Sequence, residues 1–331
     1  MSGREHEVIE GLTIRRRDDV VDRVEKRSTT VELLAKSGPA EVAHQHIEAG
    51  RHFFLYASDE WSGFELIFIL DGVLTIEPGE GAPASEVVQL QRCDYIYHNG
   101  LPRRVYCRAT SDVELLLFSS SLTPSFDMAR NGMQEMTALA QSVEEKDHAT
   151  DGHCYRLERL AIRTSEKLGI LGQSLIDVSY AAYLHDIGKV QVPSEILGKE
   201  GLLTDEEWEQ MKRHPDLGAE MLREKDFLGG AAEIVRAHHE RFDGSGYPRG
   251  LKGEEIPIGA RIIAVVDTYD AITSVRPYQA AQAKDEAIEE LRKGGGTQFD
   301  PQVLEAFFSI LREDEILREE GAAAKGAPDA G

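Results

Sequence analysis

The hydrophobic pattern of the chain changes once along its length. Up to about residue 122 apolar residues come in short runs broken by glycine, proline and acidic positions. Beyond Pro124 they recur at helical spacing, as in Met133, Met136 and Ala140, and again in Leu157, Leu160, Ala161 and Leu168. The first half therefore predicts strands, from about His44 to Ser120, with segments at 52–57, 87–90, 94–97, 105–109 and 113–119. Residues 64–76 form an apolar stretch interrupted by Asp71-Gly72, a dipeptide that favours a tight hairpin turn. Many short strands with turn residues between them predict a small barrel or sandwich. The second half predicts helices to about Leu317, one of them started by a capping box of Thr204 and Glu207.

The expected organisation follows from this change of pattern. Residues 1–30 form a charged N-terminal segment expected to be mobile, and 31–122 a β-barrel for sensing or dimerisation. Residues 123–143 form a linker helix packed through Met133 and Met136, and 144–317 a helical catalytic domain. The Ala/Gly/Glu-rich residues 318–331 are a tail expected to be disordered. The fold class is multidomain α and β, and no internal repeat is evident.

Composition narrows the function. The formal net charge is −22, a surface that repels nucleic-acid backbones, so neither DNA nor RNA is an expected partner. A small nucleotide is still compatible, because bound cations invert the local field. No apolar run reaches the roughly 18 residues of a membrane span, and the polar start of the chain has no secretory apolar core. Cys93, Cys107 and Cys154 form no C-x-x-C pair and read as reduced thiols of a cytoplasmic protein.

The helical half carries the chemistry. Of 11 histidines, 6 lie between His148 and His239. His185-Asp186 sits in AYLHDIGK, and His238-His239 in AHHERFDGSGYP. His153 is placed in the first turn of a helix that Thr150 can cap, and His214 precedes Pro215, where its helix should stop. Asp267 lies among Ile262, Ile263, Val265 and Val266, where a carboxylate is costly to bury unless it meets a cation or donors. Imidazoles with carboxylates suit Zn, Fe, Mn or Co. The candidates are too many for one mononuclear site, so more than one ion is expected. Two ions about 3.5–4 Å apart can share a hydroxide and clamp both oxygens of an in-line displacement.

These residues resemble the HD-GYP family over about residues 144–307. The resemblance rests on Glu144, Asp147, Thr150, His153 and Arg156 at three-residue intervals, on the HDIGK run at 185–189, and on KRHP at 212–215. HHERFDGSGYP, Ala260-Arg261-Ile262 leading to Asp267, Arg276-Pro277-Tyr278 and Phe299-Asp300-Pro301 complete it. It implies an all-helical metallophosphodiesterase that acts on cyclic di-GMP in bacterial second-messenger signalling. A metal-bridging hydroxide would open the ring to linear pGpG, and a second cut would give GMP. The implied metal ligands are His153, His185, Asp186, His214, His238, His239 and Asp267, with Asp186 bridging two divalent ions, Fe or Mn. Asp186 and Lys189 are the implied catalytic residues. Lys189, Arg241, Gly246, Tyr247 and Pro248 are the implied substrate contacts. Family members that hold three metals carry a Glu four residues before the first histidine; Ala149 stands there, so two ions are expected.

Several roles stay open on sequence alone. Arg156 is an orienting residue or a surface charge, and Glu144, Asp147 and Thr150 organise the helix start or assist the ligands. Cys154 reads as packing and His148 as solvent-exposed. The first half is similar to a cupin-like barrel through Glu65-x6-Gly72 and Cys93-Asp94, but lacks the expected His-x-His before Glu65. His44-x-His46 shares one strand face but lies too far upstream, and His98 stands near the later motif; a metal-free sensing or dimerising role is therefore expected. The alternatives to an active cyclic di-GMP phosphodiesterase are a docking protein for a diguanylate cyclase (GGDEF-type) partner and a hydrolase of cyclic GMP-AMP. The candidate assembly is a homodimer.

Overall fold

The computed structural model describes residues 6–9, 12–14, 19–26, 28–77, 87–121, 125–147, 152–199, 201–225, 228–274 and 284–326. It divides into two compact units, Met1–Ala138 and Leu139–Gly331.

The first unit is antiparallel β throughout its paired strands. β1 (His6–Ile9) and β2 (Leu12–Ile14) pair with each other. β3 (Asp22–Lys26), β4 (Thr29–Ser37), β5 (Ala40–Ile47), β7 (Phe64–Asp71), β10 (Tyr95–His98) and β12 (Val113–Ser120) form a six-stranded sheet in the order β10-β7-β12-β5-β4-β3. β6 (His52–Leu55), β8 (Leu74–Ile76), β9 (Val88–Leu90) and β11 (Val105–Ala109) form a second sheet in the order β6-β11-β8-β9. Alternate residues of both sheets meet in one core: Ile47, Ile67, Ile69, Val113 and Leu115 from the first, Leu55, Leu74, Leu90, Cys107 and Ala109 from the second. This is the barrel-or-sandwich body that the short runs predict.

Two details differ from expectation. Asp71-Gly72 makes no hairpin: β7 pairs with β10 and β12, whereas β8 pairs with β9 and β11. The dipeptide is a corner between sheets, because fully buried Leu74 belongs to the shared core rather than to an extension of β7. The N-terminal segment is also not uniformly irregular. Arg23 and Glu25 flank Val24, which alternates into a cluster with Val31, Leu33, Ala43 and Phe126, so β3 adds to the sheet edge next to β4. β4 lies before the stretch read as β.

α1 (Ser125–Asp147) begins in the first unit, where Phe126 is buried and its backbone N–H donates to Glu41 at 3.1 Å. Met136 is buried on the same helix. The second unit continues with α2 (His153–Lys167), α3 (Gly172–Leu184), α4 (Ser194–Leu197), α5 (Asp205–Met211), α6 (His214–Arg223), α7 (Gly229–Arg236), α8 (Ile258–Thr273), α9 (Lys284–Lys293) and α10 (Pro301–Gly326). α8 is apolar on most sides and contributes Ile262, Ile263, Val265 and Val266 to the core, with Leu157 and Ala161 of α2, Val178 of α3 and Phe307 of α10. The C-terminal stretch read as disordered continues α10 as far as Gly326, through Ala322, Ala323 and Ala324, the strongest helix-forming residue type. No described helix is long and apolar enough to cross a membrane.

Candidate metal centre

Helix ends deliver the histidines. His185 caps the C-terminus of α3, and Asp186 leads into a 3-10 turn at Ile187–Gln191. His214 opens α6, with Pro215 in its first turn. The expectation that a helix stops there is met only for α5, which ends at Met211; proline lacks an N–H but is well suited to the start of the next helix. His238 and His239 follow the end of α7. His153 is the first residue of α2, after Gly152, which holds the cap position in the left-handed region.

The last carbonyls of a helix lack intrahelical donors, and here imidazoles supply them. Nδ1 of His185 donates to the Ala182 carbonyl at 3.1 Å, Nδ1 of His214 to Met211 at 2.8 Å, and Nδ1 of His238 to Val235 at 2.6 Å. Nδ1 of His153 donates instead to Asp270 at 2.7 Å. A carbonyl can only accept, so His185, His214 and His238 each carry a proton on Nδ1 and point Nε2 inward.

Close packing brings the segments together. A Cβ on Gly188 would lie 2.0 Å from the His214 carbonyl oxygen, so only glycine lets the HDIGK turn approach the start of α6 this closely. Asp186 then stands between imidazoles. Its Oδ1 is 3.3 Å from Nε2 of His214 and 3.8 Å from Nε2 of His238; its Oδ2 is 3.2 Å from Nε2 of His185. Lys189 donates to the same Oδ2 at 2.8 Å. Two groups result, Asp186 with His214, His238 and His239, and His153 with His185 and Asp267, each with ligand atoms within 4.8 Å of one another.

The donor set fits divalent cations. Nε2 of His214 and Nε2 of His238 face one another at 3.3 Å with Asp186 beside both, an arrangement that a divalent cation between them would satisfy. Nε2 of His185 is buried without a hydrogen-bond partner. Burial opposes the charged form of Asp186, but Lys189, His185 and His214 keep its carboxyl well below the usual range. Burial, His239 and His214 hold the His238 imidazole well below its ordinary value, and burial and His214 lower His239 to about 4. These groups are thus an anionic carboxylate and two neutral rings, the forms that coordinate metal.

A cavity of about 550 Å³ opens beside the cluster, lined by His238, His239, Asp267, Tyr247, Trp208, Lys212, Arg241 and Gln298 among others. The Tyr247 ring stacks on His239, with centroids 4.9 Å apart. Its loop folds back tightly: a Cβ on Gly246 would fall 2.3 Å from the Arg241 backbone nitrogen. Buried Glu240 accepts from the backbone N–H groups of Arg249 and Leu251, and Phe242 donates to the Gln298 carbonyl at 3.2 Å. Arg261 holds Asp300 at 2.6 Å, anchoring the segment that carries Gln298.

Residues 131–303 match the HD domain family. That span is more than half of the chain and contains all seven converging residues. The chain belongs to the HD domain family. It is 42% identical over 180 residues to a cyclic di-GMP phosphodiesterase of Thermotoga maritima, covering 54% of this chain and 49% of that protein. It is 41% identical over 197 residues to a cyclic di-GMP phosphodiesterase response regulator of Xanthomonas campestris, covering 59% and 52%. A 3'3'-cGAMP-specific phosphodiesterase of Vibrio cholerae is 34% identical over 194 residues, covering 58% and 37%. The chain spans about half the length of the first two relatives.

The HD unit collects every metal-ligand candidate named from the sequence. Lys189 reaches Asp186; Gly246 and Tyr247 line the cavity, and Arg241 sits at its wall, donating to Ser245 at 2.9 Å. Pro248 follows Tyr247 through a cis peptide bond and lies outside that lining. His148, Ala149, Thr150 and 276–278 lie outside the described residues. Cys154 is buried, as packing.

The structure corrects one reading of α8. Asp267 is not the buried carboxylate: it keeps 28% side-chain exposure and faces the cavity. The buried one is Asp270, which sequence reasoning missed. It accepts from His153 and from Arg156, and these hydrogen bonds overcome burial to hold its carboxyl well below the usual range. Arg156 is therefore an orienting residue rather than a surface charge. Asp267-Thr-Tyr-Asp270 carried the signal, since residues three apart share a helix face. Trp208, Lys212 and Gln298 were missed as cavity residues, and Glu240 as the anchor of its loop.

Proposed function

We propose that this chain is a metal-dependent phosphodiesterase that hydrolyses cyclic di-GMP to linear pGpG, GMP or both, in cytoplasmic second-messenger signalling. One observation carries the reading: a single carboxylate, Asp186, stands between two sets of imidazoles, and His238, His239 and Asp267 of that cluster line a nucleotide-sized cavity. The names of two aligned relatives support cyclic di-GMP, and that of the third supports a cyclic-dinucleotide phosphodiesterase more broadly.

His153, His185 and Asp267 would hold one divalent ion and His214, His238 and His239 the other, with Asp186 shared; Fe or Mn suits this set. Such ions, when bound, activate water and withdraw charge from a phosphodiester. The chain's own groups do the rest. Nδ1 hydrogen bonds fix the tautomers and aim Nε2 inward. Lys189 supplies a cation beside Asp186, placed for a phosphate oxygen. Arg241 and Lys212 add positive charge at the cavity wall. The β unit is the regulatory partner of this site, sensing or dimerising without metal, and a GGDEF-type cyclase is a docking partner of the assembled protein.

The test is chromatography of products from the full chain, loaded with Mn(II) or Fe(II), on cyclic di-GMP and cyclic GMP-AMP. Faster loss of cyclic di-GMP, with pGpG or GMP appearing, is expected. Preference for cyclic GMP-AMP would reassign the substrate, and inertness toward both would overturn the reading.

A further inference from the structure

α5 buries none of its residues, so it adds nothing to the apolar core. It is nevertheless firmly held. Thr204 accepts from the backbone of Glu207 and Glu207 accepts from the backbone of Thr204, closing a capping box, while Lys199 pairs with Glu207 from outside. What this helix carries is Trp208, 44% exposed. A large exposed indole calls for an explanation when it lies on a cavity wall rather than on open surface.

Trp208 meets Tyr247 edge to face, with centroids 6.1 Å apart and planes at 76°. Tyr247 in turn stacks on His239, which belongs to the metal-ligating cluster. The indole is thus two ring contacts from the ions' site. Lys212, one turn beyond Trp208, also lines the cavity, as do Arg241 and Gln298, which carries an amide. The wall therefore offers an aromatic corner, cations and a hydrogen-bonding amide in one place. A phosphodiester alone has no use for the first.

We infer that Trp208 and Tyr247 form a base-stacking platform that selects a purine nucleotide. The two fused rings of the indole match those of a purine, and the capping box keeps the helix from yielding when a base is seated. Lys212 and Arg241 then meet the nucleotide's phosphates, and Gln298 its base edge. This inference rests on the phosphodiesterase reading for the site but adds what that reading leaves open: how the substrate is distinguished from any other phosphodiester.

Binding, not turnover, tests it. Calorimetry on the metal-loaded full chain compares GMP with ribose 5-phosphate, which keeps the phosphate and sugar and lacks the base. Stacking a base on an aromatic side chain predicts GMP binding roughly tenfold tighter or more. Trp208→Ala removes most of that ratio, and Trp208→Phe, which keeps an aromatic face, restores part of it. Equal binding of the two probes by the intact protein, or an undiminished ratio in Trp208→Ala, overturns the platform. A protein that keeps the ratio but cleaves no cyclic dinucleotide retains the platform and loses the proposed reaction, so the two failures are separable.

Discussion

Arg156 grips Asp270 with two hydrogen bonds, Nε to Oδ1 at 2.7 Å and Nη2 to Oδ2 at 2.9 Å. The same Oδ2 receives Nδ1 of His153. The carboxylate therefore fixes the ring's tautomer, and the guanidinium fixes the carboxylate. Partners of this kind, behind a ligating histidine, are worth roughly 10–100-fold in metal affinity. Asp270→Asn and Arg156→Ala are each expected to weaken Mn(II) binding by about that factor while circular dichroism stays unchanged. Calorimetric titration of both variants checks this; native affinity in both would show that the pair does not orient the histidine for metal.

Gly188 makes a second prediction. Alanine there would set a methyl against the His214 carbonyl oxygen and the Gly218 nitrogen, both backbone atoms that cannot swing away. Forcing the turn and α6 apart should destabilise the protein by about 1–3 kcal/mol. It should also spread Asp186 from His214 and impair metal uptake. Gly229→Ala is the control, since a Cβ there meets nothing within 4 Å. Thermal melts of the two variants should separate clearly, and equal melting temperatures would refute the packing argument.

The metal-free protein should also show a defined proton linkage. Burial disfavours a charged His185, but Asp186 and Asp267 raise its imidazole from 6.5 to about 9. A raised value means that the charged ring stabilises the metal-free fold fully below pH 6.5 and ceases to do so as pH rises through about 9. Metal needs the neutral ring, so loading at pH 7 must expel a proton, and loading above pH 9 need not. Calorimetry of Mn(II) binding in buffers of different ionisation enthalpy should show release of about one proton at pH 7, fading at high pH. A release independent of pH across this range would contradict it.

The parts legible in the sequence are those that chemistry restricts to few residue types. Imidazoles and carboxylates that bind cations have few substitutes, so His185-Asp186 and His238-His239 stand out, and the three-residue intervals to His153 and Arg156 add order. Asp270 was hidden because a carboxylate one turn beyond Asp267 looks like a repetition of it. Trp208 was hidden because an aromatic residue in an acidic helix start carries no spacing signal; only the fold brings it to Tyr247. In the β unit the alternation of β12 was readable, but the partners of β7 and β8 were not. Asp71-Gly72 has the local chemistry of a hairpin, and the burial of Leu74 decides otherwise. Val24 alone among charged neighbours gave too little pattern to mark β3.

The most direct measurement is cyclic di-GMP turnover during titration of the metal-free 331-residue chain with Mn(II). Two ions sharing Asp186 predict almost no hydrolysis at the start, a rise with added metal, and saturation near about two equivalents. Asp186→Ala should stay inactive at every metal concentration while keeping its helical content. Full activity before any metal is added, or metal-dependent turnover by Asp186→Ala close to that of the native chain, would contradict a metal-dependent phosphodiesterase built on this carboxylate.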